Sequence, residues 1–175
     1  MSTDPRYPIG TFDKSAPLTP ESRQENIATI RELPARLSAA VAGLTDDQLD
    51  TPYRDGGWTL RQTAHHVADS HMNMLVRFKL ALTEDEVPTI KPYMEDRWAN
   101  LADSRMPVDV SLKIVEGVHE RLTALLDSFG DGEYRREFIH PETGQWTLEK
   151  VLALYAWHSR HHTAHITELR KERGW

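Results

Sequence analysis

The chain contains no cysteine. That excludes a disulfide framework and thiolate metal ligands, so any metal site must be built from His, Asp or Glu. No apolar run approaches the ~20 residues that a membrane-spanning helix needs. A surplus of basic residues is missing too: 21 Lys and Arg face 27 Asp and Glu, a net charge of −6. A nucleic-acid partner is therefore not expected, because such proteins carry a basic patch or stripe. The opening "MSTDPRYPIGTFDKS" lacks a basic segment followed by an apolar one, so no signal peptide is expected there. Neither a Gly-rich phosphate loop nor a Gly-x-Ser-x-Gly elbow occurs. These absences leave a soluble, cytoplasmic protein of 175 residues that meets small molecules, with 39% apolar residues to build one ordinary core.

Helical periodicity supplies the organisation. Residues 1–18 are polar and proline-punctuated and read as an extended arm. Residues 19–175 then form one domain. Thr19 and Pro20 suit the cap and first turn of a helix whose stripe is Ile27, Ile30, Leu33, Leu37 and Val41. Pro34 falls inside the stripe and should kink or split the helix. A second helix starts at Thr59, with Gln62 completing a capping box, and carries Leu60, Ala64, Val67, His71, Met74, Leu75 and Phe78 to about Thr83. A third follows Asp109 as its expected cap, with Val115, Leu122 and Leu126 inward and Gly130 as its stop. The last begins at Thr147 and carries Leu148, Val151, Tyr155, Ile166 and Leu169.

Four long amphipathic helices with little strand signal predict an all-α four-helix bundle. The two shorter connections favour antiparallel neighbours. The long 84–108 link suits a crossover, with a turn or two of helix around 94–99. The "PETG" turn allows a small hairpin near 137–147. "GWTL" and "QWTL" open two of the helices alike, and both bring histidines a few turns later.

Histidine is what the chain has in excess. Four of its nine lie in "AWHSRHHTAHI", residues 156–166. On a helix His158 and His162 share one face, i and i+4, together with Tyr155 and Ile166. His165 lies at the border of that face, and His161 turns away toward solvent. Two inward imidazoles need partners, and a metal bound through neutral ring nitrogens provides them. Ser159 stands where the zincin motif has its glutamate, so that protease chemistry is not expected. A third ligand should come from "TAHHVADSH". The pattern favours His66, then His71, and leaves His65 on the opposite flank. Three histidines without thiolate suit Zn²⁺, Ni²⁺ or Co²⁺ and leave a position open, whereas His165 as a fourth would close the site.

Other residues admit two roles each. Trp58 and Trp146 precede their caps as apolar staples. Tyr155 fits the core and could also donate to a substrate. Arg77 suits a surface ion pair more readily than an anion clamp, Asp69 could orient an imidazole, and Arg160 should be solvated.

"GGWTLRQTAHHVADSHMN" and "LYAWHSRHHTAHITEL", with the "HPETG" turn and the closing "RGW", closely resemble the DinB-like (damage-inducible) superfamily, in its YfiT-like branch. The resemblance implies a four-helix bundle, usually dimeric, with a three-histidine metal site. Carried over position by position, the ligands are His66, His158 and His162, the first fixed by the His-apolar-x-Asp pattern at 66–69. It also implies a metal-dependent hydrolase acting on a small electrophilic substrate. Relatives elsewhere in the superfamily resemble S-transferases that use a low-molecular-weight thiol such as bacillithiol or mycothiol. A non-catalytic metal-stabilised module is a third reading. In the first two, the open metal position lowers the pKa of a nucleophile.

Overall fold

A computed structural model describes residues 4–175 of the chain. The first three residues of the expected arm lie outside the described residues. The helices are α1 (Pro20–Val41), α2 (Asp46–Leu49), α3 (Leu60–Thr83), α4 (Glu95–Trp98), α5 (Asp109–Asp127), α6 (Asp131–Tyr134) and α7 (Leu148–Arg173). A 3-10 turn spans Ala102–Arg105, and strands β1 (Glu137–His140) and β2 (Gly144–Thr147) form an antiparallel hairpin pairing Phe138 with Trp146. The four long helices α1, α3, α5 and α7 make the bundle.

Their starts are set by side chains. Thr19 accepts from the Ser22 amide and Thr59 from that of Gln62, each in a reciprocal capping box. Thr147 accepts from the Lys150 amide, and Gly174 at φ 69° closes α7 in the left-handed conformation that glycine adopts without strain. Asp109 is not a cap: it is the first residue of α5, where its charge meets the positive end of the helix dipole, and no side chain caps that helix. Nor does Gly130 end α5. The helix stops at Asp127, and Gly130 stands before α6, its amide donating to Glu133 at 2.9 Å.

Pro34 does not split α1, which runs unbroken across it. A proline removes the amide that would bond the carbonyl four residues earlier, here Ile30. His119 Nδ1 on α5 lies 2.6 Å from that oxygen and replaces the missing donor.

The core has two apolar clusters. One holds Ile27, Ile30, Met74, Phe78, Leu122, Leu126, Leu148 and Leu152. The other holds Leu33, Leu37, Leu60, Val67, Val115, Ile166 and Leu169. The order in which each helix enters them gives its direction. α1 and α7 run from the first cluster to the second, and α3 and α5 run the opposite way. Packing is around a square: α1 against α5 and α7, and α3 against α5 and α7. Thus α1 and α3 lie across one diagonal and α5 and α7 across the other.

The expectation of antiparallel neighbours is half wrong. Both shorter connections join antiparallel helices, but across the diagonal. Residues 42–59 and 128–147 are much longer than the ~2–8 residues that join adjacent helices. They contain α2, α6 and the hairpin, enough to cross the end of the bundle. The 84–108 link joins the parallel neighbours α3 and α5 and so must return along the bundle. It begins beside β1, where Ile139 donates to the Pro88 carbonyl and Ile90 to the Ile139 carbonyl. Between the two apolar clusters, at mid-height, the helices contribute a layer of imidazoles.

Candidate metal centre

His66 and His71 come from α3, His119 from α5, and His158 and His162 from α7. His71, His119, His158 and His162 each sit between an apolar residue of one cluster and one of the other, and His66 lies between Ala64 and Val67 of the second cluster, so their burial is a consequence of the helix stripes. The ring nitrogens of His66, His158 and His162 offer ligand atoms that all lie within 4.8 Å of one another. His66 Nε2 and His158 Nε2 are 3.2 Å apart. His66 and His162 are buried and His158 is half-buried.

Burial holds these rings neutral. It pushes His66 down to about 4, aided by His165, and drives His158 and His162 well below the usual histidine range, aided by their neighbours. Neutral imidazole is the ligand form, so the protein maintains the donors ready at pH 7.

A second group, His161, His162 and His165, also brings its ring nitrogens within 4.8 Å. His165 is already engaged at both nitrogens. Its Nε2 lies 3.3 Å from the Arg6 carbonyl, and its Nδ1 3.4 Å from His162 Nδ1. A carbonyl only accepts, so Nε2 of the neutral ring carries the hydrogen and Nδ1 accepts. His162 then donates from Nδ1 and keeps Nε2 bare. Tyr53 stacks on His165 with ring centroids 4.0 Å apart.

The structure therefore joins His66 to the i, i+4 pair. His71 lies deeper, bonded through Nδ1 to His119 Nε2 at 2.9 Å. His65 is on the opposite flank as read from sequence, held by Ser111 (2.7 Å) and the Met106 carbonyl (3.0 Å). The solvated position expected for His161 is wrong: the ring is 6% exposed. Trp157 stacks on it at 4.3 Å and Tyr7 lies 6.0 Å away, so the arm covers the face that helix periodicity assigned to water. Gly10 of the arm accepts from the Trp157 indole, and Phe12 meets the same ring.

Around the triad, Trp58 lies 4.6 Å from the His66 ring and 6.3 Å from that of His162, so it walls the site and is more than an entry staple. The Tyr155 hydroxyl donates to the Ser70 carbonyl (3.2 Å) and accepts from Arg77 Nη1 (3.1 Å). Among the described residues Arg77 forms no ion pair, unlike the surface pairing expected. Burial raises Asp69 to about 6. Arg160 is exposed and donates to Thr29. Sequence reading missed His119, although its place between Val115 and Leu122 on the inward face of α5 was the available signal.

The model of the DinB superfamily matches residues 29–166. A protein of Bacillus cereus (strain 03BB102), named provisionally as a metal-dependent hydrolase, is 55% identical over 172 residues, covering 98% of this chain and 99% of its own. A similarly named protein of Bacillus thuringiensis subsp. konkukian (strain 97-27) matches to the same extent. Among solved structures, YfiT from Bacillus subtilis, described as a probable metal-dependent hydrolase with an unusual four-helix bundle topology, superposes with a TM-score of 0.93. It has 50% identity, over 98% of both chains. TT2238, a four-helix bundle protein, shares the fold at a TM-score of 0.55 and 19% identity, over 87% of this chain and 99% of its own. No helix among the described residues is long and apolar enough to cross a membrane. With four-fifths of its length matched, its helices in this arrangement and three histidines converging between them, the chain belongs to the DinB superfamily.

Proposed function

We propose that His66, His158 and His162 hold one divalent metal ion, Zn²⁺ first and Ni²⁺ second, and that the centre hydrolyses a small electrophilic substrate. The observation that carries this reading is the convergence of three neutral imidazoles, two buried and one half-buried, from two helices, with no carboxylate among them. Such a donor set suits these metals and leaves a coordination position for a reactant. The names of the relatives point the same way.

His158 Nδ1 is buried without a hydrogen-bond partner. An orphaned Nδ1 on a ring whose Nε2 faces another imidazole nitrogen at 3.2 Å fits a histidine oriented for a metal shared with His66. When bound, the metal supplies a Lewis-acid position that lowers the pKa of a water or thiol nucleophile toward neutrality.

The chain's own residues do the rest. The i, i+4 spacing on α7 fixes the separation of two donors, and α3 brings the third across the bundle. Trp58 shields His66 and narrows the approach. Arg77, tethered through one nitrogen to Tyr155, keeps its remaining donors for an anionic group on the substrate.

Metal analysis of the protein purified without a polyhistidine tag tests the site. About one equivalent is expected, lost on replacing His66, His158 or His162 with alanine. Less than about a third of an equivalent, unchanged in His158→Ala and His162→Ala, refutes it. Turnover of esters or amides without thiol supports hydrolysis. Turnover of chlorodinitrobenzene only with bacillithiol present assigns S-transfer instead, and a metal-loaded protein inert to both classes would be a binding module.

A further inference from the structure

His71 and His119 form a buried pair that the three-ligand reading does not use. Their hydrogen positions follow from Pro34. The Ile30 carbonyl, left without a helical donor by that proline, lies 2.6 Å from His119 Nδ1. A carbonyl can only accept, so Nδ1 of His119 carries the hydrogen. Burial keeps the ring neutral, with its pKa pushed down to about 4, and Nε2 is therefore bare. His71 Nδ1, 2.9 Å from it, must donate. His71 is fully buried and neutral as well, so its own Nε2 presents a lone pair.

That lone pair meets no donor. The His158 ring lies 5.5 Å away, centroid to centroid. Its Nδ1 is buried and equally without partner, while its Nε2 faces His66 at 3.2 Å. At this centroid separation, ring nitrogens aimed at each other would lie about 3 Å apart, within hydrogen-bond distance, so reorientation of the two rings can pair the orphans. One orphan is an acceptor by the chain of donors just traced. The other becomes a donor when His158 uses Nε2 as a ligand.

We infer that His71 is a positioning residue for the metal centre: its Nε2 accepts the Nδ1 hydrogen of His158, and the relay Ile30–His119–His71 fixes the tautomer that turns His158 Nε2, bare, toward the metal. This rests on the proposed three-histidine site. Metal-bound histidines commonly donate their second ring nitrogen to a carboxylate or a carbonyl. Here no carboxylate is used. The carbonyl is reached through two further imidazoles, and it is free because α1 contains a proline. His165 and the Arg6 carbonyl serve His162 in the same sense, with one imidazole instead of two.

The test compares His119→Gln, whose amide keeps one donor and one acceptor, with His119→Leu, which keeps neither. Zinc affinity is read by chelator competition, and ¹⁵N-detected histidine spectra of the zinc-loaded wild-type protein report which ring nitrogens carry hydrogen. The expected result is Nδ1–H on His119, His71 and His158. Zinc affinity should fall about 10- to 100-fold in His119→Leu and about threefold or less in His119→Gln. Melting of the zinc-free variants separates a folding defect from a site defect, and if His119→Leu does not fold, the wild-type spectra decide alone. Nε2–H on His71, or wild-type zinc affinity in folded His119→Leu, overturns the inference while leaving the three-ligand site intact. A wild-type protein that binds no zinc at the triad overturns both.

Discussion

Consider the metal-free protein carried from about pH 7.5 to about pH 5.5. Burial lowers His66, His119, His161 and His165 from the ordinary value of 6.5 to about 4 each. Unfolding releases these rings into water, where they take up protons near 6.5. The folded protein refuses those protons until about 4. The stabilisation is therefore complete above 6.5 and is lost as the pH falls from 6.5 toward 4. For one such ring the loss between the two conditions is about 1.3 kcal/mol, and four independent rings would give about 5 kcal/mol. That is comparable to the whole stability of an ordinary domain, ~5–15 kcal/mol. His66 and His161 feel the charge of His165, which only strengthens the folded state's refusal of protons, and His71, His158 and His162 are driven down by burial as well, so four rings do not exhaust the effect. Urea unfolding in chelator, followed by circular dichroism, should show the midpoint falling with little change in slope, for a loss of at least about 3–5 kcal/mol. A loss below about 1 kcal/mol would mean that these rings are open to water in the native state, and the neutral imidazole layer would have to be abandoned.

Three further outcomes follow from the same geometry. Trp58, 4.6 Å from the His66 ring, should report metal entry: Ni²⁺ or Co²⁺ should quench tryptophan emission in the wild type and do so much less in Trp58→Phe, and equal quenching would separate the indole from the site. Removing residues 1–10 takes away the Arg6 carbonyl that holds His165, so zinc affinity should fall about tenfold in a chelator competition, and unchanged affinity would make the arm a passive cover. Arg61, 6% exposed, donates to Asp50, Asp46 and the Met106 carbonyl. Arg61→Met keeps much of the apolar packing and loses those bonds, costing ~1–3 kcal/mol in urea unfolding, and a neutral result would show the ion pairs to be ornamental.

The parts of the fold that were legible in the sequence are those decided within one turn of helix. Thr19, Thr59 and Thr147 cap their helices because a threonine oxygen reaches an amide three residues on, and the spacing alone states it. The stripes show which face is buried, and so they place His66 with His158 and His162 near the core. What a stripe does not carry is the identity of the helix it meets. The connections 42–59 and 128–147 therefore read as joining neighbours, although they cross diagonals. His161 differs from its periodicity for a related reason: Trp157 stacks on it, and that indole is in turn held by Gly10 and Phe12 of the arm, with Tyr7 beside it, and the arm has no periodicity to read. Pro34 is the sharpest case. Judged locally it costs a hydrogen bond and should break α1. In the folded chain that vacancy is filled by His119, which lies on another helix and is separated from Ile30 by 89 residues. The apparent defect at Pro34 thus sets the direction of hydrogen bonding in the imidazole layer. A sequence in which Pro34 and His119 were replaced together would keep an apolar core here and lose the polarity that makes His71 an acceptor.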